Sequence, residues 1–218
     1  MAADRKLQLT EKLNYGVGQT DEGLKNTAFG LLVLFYYNQV LEVSGTLCGL
    51  ALGIALIFDA ITDPLAGSLS DNWRSRLGRR HPFMYASAIP LGICFYLLFS
   101  PPTLGETGLF IWLIVFAVLT RTAMTLYHVP HIALGAELTE NFEERTVIVS
   151  FRLVFGTLGG LIAVALAFLV FFAASEEFPN GQLNGAAYTP FALTLSVLMV
   201  ITIWLSAWGT RKQIPFLP

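Results

Sequence analysis

An all-α integral membrane protein of six spanning helices is the fold class this sequence predicts. Of its 218 residues, 55% are hydrophobic and only 13% charged, with a mean hydropathy of +0.63; soluble domains carry about 25% charged residues. The apolar residues gather into six stretches near or above the ~20 residues a helix needs to cross the hydrocarbon. No stretch alternates apolar and polar over segments of about 10 residues, as a spanning β-barrel would. The composition excludes disorder, because the few charges cannot keep so much apolar surface solvated. A nucleic-acid partner is excluded too: 13 Lys+Arg against 15 Asp+Glu give net −2 and a pI near 5.9. Cys48 and Cys94 lie in apolar runs and match neither a disulfide framework nor a metal-ligand spacing, so no metal and no cofactor is expected.

The residues 1–12 are polar and mixed in charge, and the apolar run after them begins too late and runs too long for a cleavable signal, so they are read as a cytoplasmic N-terminus. The bundle is expected over 13–208, with helices at Leu13–Leu41, Ser44–Ser70, Pro82–Ser100, Leu109–Leu138, Val147–Ala174 and Tyr188–Trp208. Breakers separate them: Ser100-Pro101-Pro102, Pro179-Asn180-Gly181 and the charged run from Asp71 to His81. Arg74, Arg76, Arg79 and Arg80 sit in the second connection, Arg5, Lys6 and Lys12 at the start, Arg145 in the fourth connection, and Arg211 and Lys212 in the tail. The other connections contain acids but no Lys or Arg. Basic residues stay on the cytoplasmic side, which predicts a multi-pass cell-membrane protein with both termini cytoplasmic.

Charges inside a span are costly, about 2.5–3.5 kcal/mol each at the bilayer centre on insertion scales, so each needs a reason. Asp59 and Asp63 stand four residues apart, on one helix face a turn apart, with the Thr62 hydroxyl nearby. Two carboxylates so close repel unless a cation or a proton neutralises them. They are read as a coupling-ion or proton site, or else as partners of arginines at the cytoplasmic end. Asp21, Glu22, Lys25 and Asn26 share the inner half of the first helix. Either acid has the spacing to pair with Lys25, so the group is an internally neutralised cluster or a polar cavity wall. Arg121, Thr125 and His128 form a stripe at i, i+4 and i+7, and Pro130 follows. His128 and His131 lack a third ligand nearby and are not read as a metal site. Arg152 binds an anionic or hydroxyl-rich solute through its fork, or pairs with a carboxylate such as Asp63.

Gly45, Gly49 and Gly53 on the second helix, and Gly156 and Gly160 on the fifth, make small-xxx-small steps that allow close helix approach. No nucleophile elbow, phosphate loop or HExxH element occurs, so the chain is not expected to be an enzyme.

The run from Asp59 through Thr62, Asp63 and Pro64 to Gly67, then Ser70-Asp71-Asn72, then Ser75 to Pro82, resembles the glycoside-pentoside-hexuronide:cation symporter family of the major facilitator superfamily, which includes the melibiose permease. Tyr15-Gly16-Val17-Gly18, Val129-Pro130 and Glu143-Glu144-Arg145 fit the same pattern. The resemblance covers essentially the whole chain but only the N-terminal half of the family's architecture. It therefore implies one six-helix half built from two three-helix repeats, with 209–218 beginning a cytoplasmic linker. It implies that Asp59, Asp63, Thr62 and Thr125 hold the coupling Na⁺ or H⁺, and that Arg152 binds substrate. Asp21, Glu22, Arg121 and His128 would line the solute cavity. Gly67, Asp71, Arg76, Gly78, Arg79 and Arg80 would form the gating loop. The sequence departs from the melibiose permease at His128 and Ile132, which replace a sugar-binding aspartate and a stacking tryptophan, and at Glu22-Gly23, which replace a lysine and a sugar-contacting aspartate. The implied activity is cation-coupled transport of a small polar solute, a sugar or glycoside, in partnership with the bilayer and with a C-terminal six-helix half or a second copy of this chain. The alternatives are a lysolipid-type transporter and a non-transporting membrane subunit derived from a transporter half.

Overall fold

The computed structural model describes residues 6–216, which are helical almost throughout and contain no strand among the described residues. Residues 1–5 and 217–218, parts of the predicted N-terminus and linker that include Arg5, lie outside the described residues. A first helical rod comprises α1 (Leu9–Gly16), a 3₁₀ turn (Val17–Gln19), α2 (Thr20–Ala28) and two π segments (Phe29–Val33 and Tyr36–Val40). Then follow α3 (Gly45–Asn72), α4 (His81–Leu98), α5 (Glu106–Glu137), α6 (Phe142–Ala165) with a π extension (Leu166–Phe171), and α7 (Tyr188–Thr210) with a 3₁₀ turn (Arg211–Phe216). Among the described residues five helices, α3 to α7, are long and apolar enough to cross a bilayer.

The first rod, α4, α5 and α6 start earlier than the apolar pattern predicts, because polar first turns carry no hydrophobic signal, whereas α3 and α7 start within a residue of it. The rod begins at Leu9, where the Glu11 carboxylate accepts the Gln8 backbone N–H at 2.8 Å, one of the donors a helix start leaves unpaired. α6 begins at Phe142 because the Asn141 side chain accepts the N–H groups of Glu143 and Glu144 at 2.8 and 3.2 Å. The turn before α4 closes on Gly78, whose φ of 75° suits glycine.

Around the bundle α3 packs on α5, α5 on α4, α4 on α7, α7 on the first rod, and the rod on α6. The core runs through the middle of this row: Leu91, Phe95, Leu113, Tyr127, Phe191, Leu195 and Met199 are all 0% exposed. α3 and α6 are the two least buried spans. α6 meets the rod through glycine. A Cβ at Gly23 would stand 2.8 Å from the Gly160 nitrogen and closer still to the Gly156 carbonyl oxygen. The other predicted packing stripe behaves differently: around Gly49 and Gly53 a Cβ would meet nothing within 4 Å.

Where the rod changes pitch, α5 takes its carbonyls. Tyr127 Oη donates to Gly18 O at 2.7 Å and His131 Nε2 lies 3.0 Å from Tyr15 O, a contact that needs the Nε2–H tautomer. His131 is fully buried between the rings of Tyr15 and Tyr127, at 4.4 and 5.2 Å, which fits a packed structural histidine.

Candidate functional site

Two parallel helices in a fixed register build the site. The Ser44 N–H bonds Glu106 at 3.0 Å, Arg121 Nε donates to Asp59 at 2.5 Å, and Thr125 Oγ1 donates to Asp63 at 2.7 Å, every pair offset by 62 residues. Gly67 meets Val129 at the same offset. One turn forward on α3 thus matches one turn forward on α5, so the paired acids face the polar stripe rung by rung.

Across from this ladder, α2 closes a cavity of about 170 Å³ lined by Glu22, Lys25, Asn26, Asp59, Asp63, Arg121, Met124, Thr125 and His128. Its lining carries three acids, Glu22, Asp59 and Asp63, against two bases, Lys25 and Arg121, with the His128 ring beside them. Asp59 is taken: Arg121 grips it through two nitrogens, with the side chains 19% and 21% exposed. Asp63 has no ion pair within 4 Å among the described residues and holds only the Thr125 hydroxyl. His128 Nε2 lies 3.6 Å from Glu22.

On the first rod the spaced acids and base attract one another without forming a close pair. Among the described residues Lys25 makes no ion pair within 4 Å to Asp21, Glu22 or any other acid; its ammonium instead stands 5.9 Å over the Phe29 ring, which Arg121 approaches from the same distance. Asp21 is 0% exposed and sits behind the cavity wall, whereas Glu22 forms part of that wall. Thr62 turns its hydroxyl to the Asp59 carbonyl oxygen at 3.4 Å, away from the lining. Arg152 also lies off the lining, beside Tyr15 and within electrostatic reach of His128, with its Nε buried and unpartnered.

At the end of α3 a second polar centre gathers. Arg80, 6% exposed, bonds Asp71 at 2.5 Å, Ser70 Oγ at 2.7 Å and Glu137 at 2.8 Å. Arg79 reaches the same Glu137 oxygen at 3.2 Å, so the turn before α4 is stapled to the end of α5. Gly67 and Gly78 shape this region, while Arg76 is exposed. Sequence reasoning missed Glu137, an acid at a helix end with no local motif. Nothing in its neighbourhood signals two arginines arriving from 57 and 58 residues away.

A family model described as MFS/sugar transport protein matches residues 14–217. The chain is 33% identical over 200 residues to the uncharacterized symporter sll1374 of Synechocystis sp., covering 89% of this chain and 37% of the relative. To the inner membrane symporter YicJ of Escherichia coli it is 28% identical, over 95% of this chain and 44% of the relative. A sodium-dependent lysophosphatidylcholine symporter, 1-A of Danio rerio, is 27% identical over 85% of this chain and 32% of the relative. The chain thus spans about two-fifths of the length of the curated relatives it matches.

Proposed function

Since the chain belongs to the MFS/sugar transport protein family and matches the N-terminal half of its glycoside-pentoside-hexuronide symporter members, we propose that it forms one half of a cation-coupled secondary transporter. The first rod is the sixth span, the half consists of two three-helix repeats, and both termini face the cytoplasm, with 13–208 as the bundle and 209–218 opening the linker. The chain catalyses no reaction. It moves a small polar solute, a sugar or glycoside, together with Na⁺ or H⁺ between this half and a partner half.

One observation carries this reading: Asp63, within a cavity lined by three acids and two bases, has a hydroxyl beside it and no base within 4 Å among the described residues. A hard monovalent cation there gains two oxygen ligands and cancels the imbalance. Asp59 acts differently from Asp63. Its charge is already met by Arg121, so it becomes a cation ligand only when that pair opens. Glu22, His128, Arg121 and Lys25 then offer the solute hydrogen bonds, with Arg152 and Asp21 standing behind them. The cavity of about 170 Å³ is below the ~300–1,000 Å³ of ordinary ligand pockets, in keeping with a solute shared between two halves. The Arg80 cluster acts as the latch of the inward gate, breaking its pairs with Asp71 and Glu137 as the halves rock.

Radiosodium binding to the purified protein tests the reading. Asp63→Asn lowers sodium affinity at least tenfold and Thr125→Val lowers it less; unchanged binding in Asp63→Asn overturns the sodium assignment, and unchanged ion-driven uptake in vesicles overturns the coupling role. The lysophosphatidylcholine relative supplies a second solute class, separated from the first by competing sugar against lysolipid in the uptake assay.

A further inference from the structure

The cavity accounts for Asp59, Asp63 and Glu22, but not for the fourth intramembrane acid. Asp21 is 0% exposed within this chain alone, and neither carboxyl oxygen has a hydrogen-bond partner among the described residues. The base spaced to neutralise it, Lys25, makes no ion pair within 4 Å among the described residues and leans over Phe29 instead.

The charged and titratable surroundings are sparse. On the rod they are Glu22 and Lys25; from α5 comes the Tyr127 phenol, already donating to Gly18 O, while His128 and Arg121 line the cavity. α3 contributes Asp59 and Asp63 on the far side of the cavity, and Arg152 of α6 acts on His128 rather than on Asp21. α7 carries no charged residue at all, only buried hydroxyls such as Ser206. An ionised carboxylate in this position would lose its hydration and regain only the weak pull of the Glu22 and Asp21 backbone N–H groups and of a Lys25 ammonium beyond ion-pair distance; taking up a proton removes most of that cost. Its neighbour Glu22 is a carboxylate as well, which further disfavours a second negative charge.

We propose that Asp21 is a proton-binding site separate from the cation cavity, holding its proton in the arrangement seen here. Protonation forms one O–H bond on a carboxylate oxygen, and the proton comes from water. Release requires the rod to move so that water or Lys25 reaches the carboxyl. The cavity beyond Glu22 lies next to this acid, so occupancy of the proton and arrangement of the cavity wall are linked.

Infrared spectroscopy of the purified protein reads this directly, at neutral pH in light and heavy water. The expected spectrum contains a protonated-carboxyl carbonyl band that shifts on deuteration, persists in Asp63→Asn and loses one carboxyl equivalent in Asp21→Asn. Identical parent and Asp21→Asn spectra overturn the proposal, as does a carboxylate signal lost in Asp21→Asn. Asn matches the neutral acid in shape and is expected to fold. Should it fail to, Asp21→Glu serves instead, and the band must shift rather than vanish. Failure of sodium binding at Asp63 leaves this readout untouched, so the two proposals fall separately.

Discussion

The first rod meets its neighbours in two contrasting ways. Toward α6 it presents backbone to backbone, with Gly23 against Gly156 and Gly160, and Gly159 against Thr20. Toward α3 and α5 it presents Glu22, Lys25 and Asn26 across a charged cavity. A backbone seam has one arrangement, because no side chain can rotate to accommodate a shift. Charged side chains can exchange partners at modest cost. Rod and α6 are therefore expected to move as one body, with rearrangement on the cavity side. The largest effect expected follows from the seam. Gly23→Val drives a branched side chain into the α6 backbone and costs about 3 kcal/mol or more, seen as a large fall in Tm and in monodisperse yield in detergent. A Tm close to the parent's would break the contrast.

On the cavity side the cost is smaller and can be reversed. Arg121→Gln leaves Asp59 without its guanidinium, and Asp59 Oδ1 is already buried and unpartnered. A charge-assisted bond is worth about 1.5–3 kcal/mol, and partial exposure of both side chains places the loss toward the lower end. Asp59→Asn in the same molecule removes the stranded charge and restores much of the Tm. Thermal unfolding of the two single variants and the double gives the coupling. A coupling of zero would mean that the pair holds nothing together.

This contrast was half legible in the sequence. Asp59/Asp63 and Arg121/Thr125 repeat the same i, i+4 step, and two helices sharing a step can pair rung by rung, as they do. The helices themselves were legible because twenty apolar residues in lipid have no other way to satisfy their backbone. Local spacing failed where a tertiary partner intervened. Lys25 has the spacing for Asp21 but turns to Phe29, and the adjacent acids Asp21 and Glu22 differ only in which side of the rod they occupy, which depends on the neighbours. The change of pitch near Gly18 was equally hidden, since Tyr127 and His131 reach its carbonyls from more than 100 residues along the chain.

The two glycine stripes show the same limit, and they give the smallest of the expected effects. By sequence, Gly45-Gly49-Gly53 and Gly156-Gly160 are equivalent. In the fold a Cβ at Gly160 would lie 3.0 Å from Thr27 Oγ1, whereas Gly49 and Gly53 have open space around them. A small residue permits close approach but does not supply the partner. With no contact to lose, Gly49→Ala changes only helix propensity, which favours alanine by about 0.5–1 kcal/mol. The expected result is a Tm unchanged or slightly raised in the 218-residue chain, measured beside Gly159→Ala, whose Cβ would stand 3.0 Å from the Thr20 carbonyl carbon and which should lower it. A loss in Gly49→Ala as large as in Gly159→Ala would mean that the stripe on α3 is as tightly covered as the seam on α6, and the rod would no longer be the divide between a rigid side and a movable one.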